Sequence, residues 1–344
     1  MSCTVSALST VADHEGLRRA LERLPTLPLR HGFGLTTEVA ASAAATHLAG
    51  LAARGPDEGR VLVAESGGEV FAGLGLARQT FESMIYGQTM ARTGFCFAHG
   101  PEGAGADQAA EALIDAALEV CRSWGARHWS LLVAVDDDPL TRAAIRRGWL
   151  LADSTLTFTW DVARPETRTG SCGPEVRVRS SCSEDRQVLA DMARRTYTSS
   201  IRTRYGADPR LPMERTGELY SEWAARACDG SFADEVAVSE VEGRITGFDM
   251  IKLDPELSAA TGVGFGAKGI AAVLPEARGL KIASCQEAWL NRWQLAQGGR
   301  FNSGRVLINN IPMQRAMAKI GGVVTAAHHT FHAWLEDGEG REDR

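Results

Sequence analysis

The segment from Ala271 to Trp293, AAVLPEARGLKIASCQEAWLNRW, constrains the fold more than any other stretch of the 344 residues. The apolar run Ile270 to Leu274 reads as a strand, Pro275 stops it, and Arg278 to Lys281 make a tight basic turn. The residues beyond the turn have helical spacing: Ile282, Cys285, Trp289, Trp293 and Ala296 recur at three- and four-residue steps and are expected to line one buried face. A strand that ends in a glycine-containing turn and opens a helix gathers free backbone N–H groups under the positive end of a helix dipole. That arrangement is an anion site.

The same order occurs nearer the N-terminus. Strands are expected at Arg60–Glu65 and Val70–Ala77, joined through Ser66, Gly67 and Gly68, and at Thr93–Ala98. A glycine-rich turn at Gly100, Gly103 and Gly105 then runs into a helix with Ala110, Leu113, Ile114, Ala117, Leu118 and Cys121 on one face. A strand at His128–Val135, a helix at Asp138–Arg147 capped by Asp138, and a strand at Leu151–Val162 complete the half. After the Pro-, Gly- and Ser-rich stretch Ala163–Glu175 the pattern repeats. It gives a strand at Val176–Ser180, two helices, a hairpin of Glu235–Glu240 with Arg244–Leu253, and then the opening segment. A strand at Arg305–Asn309, a helix at Pro312–Ile320 headed by Asn310, and two closing strands, Val323–Ala326 and Thr330–Leu335, end it. The element order is that of an internal duplication of about 160 residues.

Composition narrows the class. With 44% hydrophobic residues the chain can fill two cores. No apolar run approaches the roughly 20 residues that cross a bilayer, and MSCTVSALSTVADHEG has acids where a secretory signal would be basic and then apolar, so a cytoplasmic protein is expected. The seven cysteines are scattered and form no CxxC pair, which argues against a disulfide framework or zinc site and makes them small core hydrophobes. A net charge of −6 without a basic run gives no footprint for nucleic acid.

The basic turn after the fourth strand and the Asn-headed helix after the fifth make the chain resemble the GNAT acyltransferases. That family's diphosphate turn has Arg or Gln, two variable residues, Gly, one variable residue, then Gly or Ala; here the places fall on Arg278, Gly279, Leu280, Lys281, Ile282 and Ala283. NNIPMQRAMAKIGG, Asn309 to Gly322, resembles the family's segment in which an Asn begins a helix ending in Gly-Phe. YSEW at Tyr220–Trp223, RYGADP at Arg204–Pro209 and FHAWL at Phe331–Leu335 look most like the branch acting on nucleotide-linked amino sugars. Three positions depart from the pattern. Lys281 replaces the middle glycine, Met317 stands where many members have a tyrosine thought to protonate the leaving thiolate, and Gly322 replaces the phenylalanine.

The resemblance implies an α/β (α+β) chain of two tandem GNAT-like domains, each a mixed, mostly antiparallel sheet flanked by helices. They are expected at residues 1–165 and 176–337, with a linker at 166–175 and a charged tail at 338–344. It implies an N-acyltransferase using acetyl-CoA or another acyl-CoA and no metal, in which a small-molecule amine attacks the thioester. The alternatives are an acyl-CoA-binding pseudoenzyme and a GNAT-fold acyl-CoA hydrolase or decarboxylase. The second domain is the expected acyl-CoA site, with the diphosphate on Arg278, Gly279, Leu280, Lys281, Ile282 and Ala283, the pantetheine arm on Ala272 and Val273, and Asn310 beside them. The first half lacks the preceding Arg or Gln and is expected to be degenerate.

For the chemistry, Asp249 in GFDMI is the first candidate base, because a carboxylate inside an apolar strand is costly unless used or paired. His329 and His332 on the closing strands are further candidates, since histidine titrates in the useful range. Tyr220 and Trp223, three apart on one helical face, are expected to line the acceptor pocket or the core. No nucleic-acid or membrane partner is expected, and a homodimer is left open.

Overall fold

The computed structural model describes residues 3–8, 15–24, 35–99, 104–169 and 173–335. The turn residues 100–103 and the tail 338–344 therefore lie outside the described residues. The chain forms two compact units, residues 1–27, 41–154 and 328–344 in one, and 28–40 and 155–327 in the other. Among the described residues no helix is long and apolar enough to cross a membrane.

The elements run β1 (Thr4–Leu8), α1 (Glu15–Arg23), α2 (Thr37–Ala53), β2 (Gly59–Ser66), β3 (Glu69–Arg78), α3 (Thr80–Tyr86), β4 (Met90–Ala98), α4 (Ala104–Ser123), β5 (His128–Ala134), α5 (Asp138–Arg146) and β6 (Leu150–Asp161). They continue with β7 (Val176–Ser180), α6 (Arg186–Ser199), α7 (Arg204–Ala207), α8 (Met213–Cys228), β8 (Glu235–Val241), β9 (Arg244–Asp254), α9 (Pro255–Thr261), β10 (Gly264–Val273), α10 (Ile282–Ala296), β11 (Gly299–Leu307), α11 (Ile311–Lys319) and β12 (Val323–Trp334). This is the mixed α/β architecture expected from the sequence.

In the first unit the strand order is β1-β2-β3-β4-β5-β12, antiparallel except for the parallel pair β4 and β5. The β2–β3 hairpin turns at Gly67 and Gly68, both at positive φ (60° and 79°), where glycine alone is unstrained. The apolar stripe of α4 packs Leu113 and Ile114 fully out of water against Leu62, Leu74 and Trp129. Each such side chain contributes about 1.5–3 kcal/mol by burial. The cap of α5 is Asp137, whose Oδ1 accepts the Leu140 N–H at 3.1 Å, and not the neighbouring Asp138.

In the second unit the order is β6-β11-β10-β9-β8-β7, with β10 and β11 the parallel pair. The last strand of each repeat departs from the expected pattern. Val323 to Trp334 is one continuous strand where two were expected, and its residues His328–Trp334 pair with β5 of the first unit. Conversely, Thr155–Asp161 of β6 pairs with β11 in the second unit. The units divide at Ser154, within β6, rather than along the Pro-rich stretch, which holds a short 3-10 turn at Pro165–Arg168. The cysteines are not uniformly unpaired core residues: Cys96 and Cys121 are buried, but Cys182 is exposed, Cys3 and Cys228 are half-buried, and Cys285 is disulfide-bonded, against the expectation.

Candidate active site

The second unit opens where its parallel strands part. β10 and β11 are paired from Gly264 with Gly299 to Ala267 with Ser303, and the pairing ends there. On its other edge β10 continues against β9 through an irregularity between Lys268 and Ala271, resuming with Ala271 opposite Asp249, Ala272 opposite Phe248 and Val273 opposite Gly247. The two arms flank a cavity of about 600 Å³, with Ala271, Ala272 and Val273 on one side and Leu307, Asn309 and Asn310 on the other.

Tyr197 of α6 occupies part of the gap. Its hydroxyl donates to the Ala271 carbonyl at 3.0 Å and accepts from the Ala271 N–H at 3.2 Å, replacing the strand neighbour that is missing on this edge. Alternation along the strand aims Val273, two residues on, at the same edge. Burial pushes the Tyr197 phenol well above its ordinary pKa, so it is neutral. Its ring stacks on Tyr220 at 3.9 Å between centroids and 5° between planes, and Tyr220 in turn meets Trp223 edge-on. Tyr220 and Trp223 are thus in the packing behind the wall and are not among the cavity-lining residues.

The basic turn closes one end of the cavity through Arg278, Gly279, Lys281, Ile282 and Ala283, whereas Leu280 is not among the lining residues. The Cys285 N–H bonds the Lys281 carbonyl at 3.2 Å, so the amides of Ile282, Ala283 and Ser284 precede the first helical hydrogen bond of α10 and have no acceptor within the helix. The helix dipole adds positive potential at this end. Gly279 has φ +92° and Lys281 φ +60°. Lys281 therefore holds the left-handed conformation that a glycine would take without strain, at a cost of about 1–2 kcal/mol. Gly247 lets the helix start approach β9: a Cβ there would lie 3.0 Å from the Ala272 carbonyl and 3.1 Å from both Ile282 and Gln286.

Of the apolar stripe expected from spacing, Ile282 and Cys285 are buried but Ala296 is exposed, and polar residues make up much of the buried face of α10. Gln286, Glu287, Asn291 and Gln294 are each at most 1% exposed, whereas Trp289 and Trp293 are only partly buried. Asn291 accepts from Trp160 Nε1 at 2.9 Å and donates to the Thr167 carbonyl at 2.7 Å. Gln294 donates to the Phe301 carbonyl at 2.8 Å. Gln286 Nε2 is buried on the cavity wall without a hydrogen-bond partner.

Asp249 lines the cavity and is 2% exposed. Its Oδ1 accepts the Met250 N–H at 2.8 Å, and its Oδ2 is bonded by Lys268 Nζ. Lys268 lies 2.8 Å from Glu287 Oε1, an ion-pair distance without hydrogen-bond alignment, so both Glu287 oxygens remain without a hydrogen bond. Burial pushes the Asp249 carboxyl above its ordinary range despite the pull of Lys268. Burial likewise pushes Glu287 up to about 7, against Lys268 and with the Asp249 charge adding to the rise. Burial alone would lower Lys268, but the two carboxylates outweigh it and raise its pKa. Sequence reasoning singled out Asp249 and missed Lys268 and Glu287. The same signal, a charge inside an apolar run, was present at Lys268 in GFGAKGIAAV.

Asn310 caps α11, its Oδ1 accepting the Met313 N–H at 3.3 Å, and lines the cavity with Pro312 and Met313. Met317 faces away into a cluster with Phe158, Trp160, Val306 and Ile320 and is 3% exposed. Gly322 is required by close packing, since a Cβ there would lie 2.7 Å from the Met317 carbonyl oxygen. Two of the departures from the family pattern are therefore core packing. His332 belongs to the first unit, where its buried ring meets His128 edge-on at 4.4 Å, and it is not among the cavity-lining residues.

No protein-family model matches the chain, and no curated protein matches it. Solved structures do. The chain is similar to a tandem GNAT protein from the clavulanic acid biosynthesis pathway, at 14% identity and a TM-score of 0.56, over 98% of this chain and all of that one. It is similar to a GCN5-related N-acetyltransferase from Sphaerobacter thermophilus at 14% identity and a TM-score of 0.62, covering 98% of this chain and 97% of that one. It is also similar to a fungal GCN5-related glucosamine N-acetyltransferase region, at 13% identity and a TM-score of 0.59, covering 96% of this chain and 38% of the larger fungal protein. These likenesses establish the tandem GNAT fold.

Proposed function

We propose that the chain is an acyl-CoA-dependent N-acyltransferase, with acetyl-CoA as donor and a small primary amine as acceptor, and that the second unit holds the donor. The observation that carries this reading is the continuity of one cavity from the parted strands β10 and β11 to the N-terminus of α10. An elongated carrier with an anionic end fits that shape. The free amides of Ile282 and Ala283, with Arg278 and Lys281, suit a diphosphate. The Val273 edge suits an amide-bearing arm, and the unpartnered Gln286 Nε2 offers a further donor on the wall.

When bound, acyl-CoA supplies a thioester carbonyl for attack by the amine. The protein's own groups do the rest. Asp249, on the cavity wall, accepts a proton from the incoming ammonium, and Tyr197 fixes the backbone of Ala271 at the point where the strands separate. The cleft confines both reactants at short range, which accounts for much of the acceleration such a direct transfer needs.

The first unit supports the reading of a non-binding half. There the parallel pairing of β4 and β5 ends at Thr93 and Leu131, and beyond it side chains bond to the strand backbones. Asp137 Oδ2 accepts the Ala98 N–H at 2.7 Å, and the Cys96 thiol donates to the Leu132 carbonyl at 3.1 Å. Beyond the paired stretch the Ala98 N–H and the Leu132 carbonyl are thus already bonded by side chains, whereas no such bond occupies the Val273 edge among the described residues.

Because one fold relative is described as a glucosamine N-acetyltransferase, glucosamine and nucleotide-linked amino sugars are the first acceptors to test. Incubation with acetyl-CoA and an amine panel, following free thiol, decides the matter. Thiol release that requires an amine supports the transferase, release without amine indicates a hydrolase, and binding without release indicates a pseudoenzyme.

A further inference from the structure

Asp249, Lys268 and Glu287 come from three elements, β9, β10 and α10, and meet with side-chain exposures of 3%, 5% and 1%. One ammonium between two carboxylates leaves the ionised cluster with a net charge of −1, and a buried unbalanced charge is expensive. Of the three, only Asp249 lines the cavity; Lys268 and Glu287 stand behind it. The groups that face Asp249 are Lys268 from β10, Glu287 from α10, the neutral phenol of Tyr197 from α6 and the Met250 N–H of its own strand.

A carboxylate paired one-to-one with a buried ammonium is held ionised and is a poor proton acceptor. We propose that Glu287 and Lys268 are positioning residues that keep Asp249 basic. By sharing the ammonium of Lys268, Glu287 prevents Asp249 from serving only as the counter-ion of a lysine. This rests on the transferase reading. The cluster's net negative charge draws in the protonated amine. An N–H bond of the ammonium breaks and an O–H bond forms on Asp249, while the electron pair stays on nitrogen for attack. The cluster is then neutral, with a protonated Asp249 beside a Lys268–Glu287 ion pair, and it regains its charge when the proton leaves to solvent through the cavity. The raised titrations of both carboxyls agree with a cluster that readily takes up one proton.

The test tracks aspartate side-chain 13C shifts of the full chain with CoA as bound probe, across about pH 4 to 9, with Asp249→Asn assigning the signal. In Glu287→Gln, an isosteric change, the Asp249 midpoint is expected to fall by about one unit or more, because Lys268 then serves Asp249 alone. In Lys268→Met it is expected to rise. The acid limb of kcat/KM against pH, with glucosamine as probe amine, should move in the same directions. A purely structural role would lower the melting temperature of both variants without shifts of opposite sign. An Asp249 midpoint that is unmoved or raised in Glu287→Gln overturns the proposal, whether or not Lys268→Met folds. Calorimetry with CoA separates the two claims: a wild-type chain that binds no CoA contradicts the transferase reading, while the midpoint comparison in the free protein still decides the cluster.

Discussion

The single hydroxyl of Tyr197 satisfies both backbone groups of Ala271, donating to its carbonyl at 3.0 Å and accepting from its N–H at 3.2 Å. It stands where a continuing β11 would otherwise pair. Tyr197→Phe leaves two backbone groups without these partners, so a loss of about 1–3 kcal/mol is expected. Denaturant titration of the variant checks this. The same substitution should lower kcat more than it raises KM, because it loosens the wall at the reacting end of the cavity.

Lys281 holds φ +60° at the N-terminus of α10. Lys281→Gly removes left-handed strain of about 1–2 kcal/mol but adds unfolded-state entropy of about 0.5–1 kcal/mol. The net expectation is a melting temperature raised by about 1–3 °C. CoA affinity should nevertheless fall, because the lysine charge beside the diphosphate is lost. A scanning melt and a CoA titration on one preparation read both effects. A melting temperature that drops would show that the unstrained backbone matters less than the contacts of the lysine.

Much of the architecture was legible because its signals are local. The Gly67–Gly68 hairpin and the turn at Arg278–Lys281 before α10 depend on turn chemistry that residues announce themselves. The exchange of β6 and β12 was not legible, since strand pairing at long range leaves no mark in period or composition. The buried face of α10 was legible at Ile282 and Cys285 but not beyond them, for a related reason. Trp289 and Trp293 carry the stronger hydrophobic signal, yet Glu287, Asn291 and Gln294 are buried because partners on other elements, Lys268, Trp160 and the Phe301 carbonyl, meet them. A polar residue whose partner is distant in sequence looks like a surface residue.

Gly322 packs its Cα against the carbonyl of Met317, and a Cβ would approach that oxygen to 2.7 Å. Gly322→Ala should cost about 1–3 kcal/mol by forcing backbone movement. Gly322→Phe, which introduces a far larger side chain at the same contact, should cost more. Urea unfolding of the two variants gives the order; a stabilising phenylalanine would contradict this packing.

Asp137 caps α5 and binds the Ala98 N–H, and burial pushes its pKa up to about 7. Because the folded value lies above the unfolded one, its contribution to stability is fully present below about pH 4 and is lost as pH rises through about 7. The stability difference between wild type and Asp137→Asn should therefore shift against the wild type between those limits. Unfolding free energies of both proteins at a series of pH values give the slope, and parallel curves would show that Asp137 ionises normally.

The central claim is that one acyl-CoA binds per chain, at the turn before α10. Isothermal titration of the full chain with CoA tests it most directly. The expected result is a single equivalent bound, with affinity reduced about tenfold or more in Arg278→Glu, a loss of about 1.4 kcal/mol or more. Two equivalents, no binding, or an affinity indifferent to Arg278→Glu would contradict it.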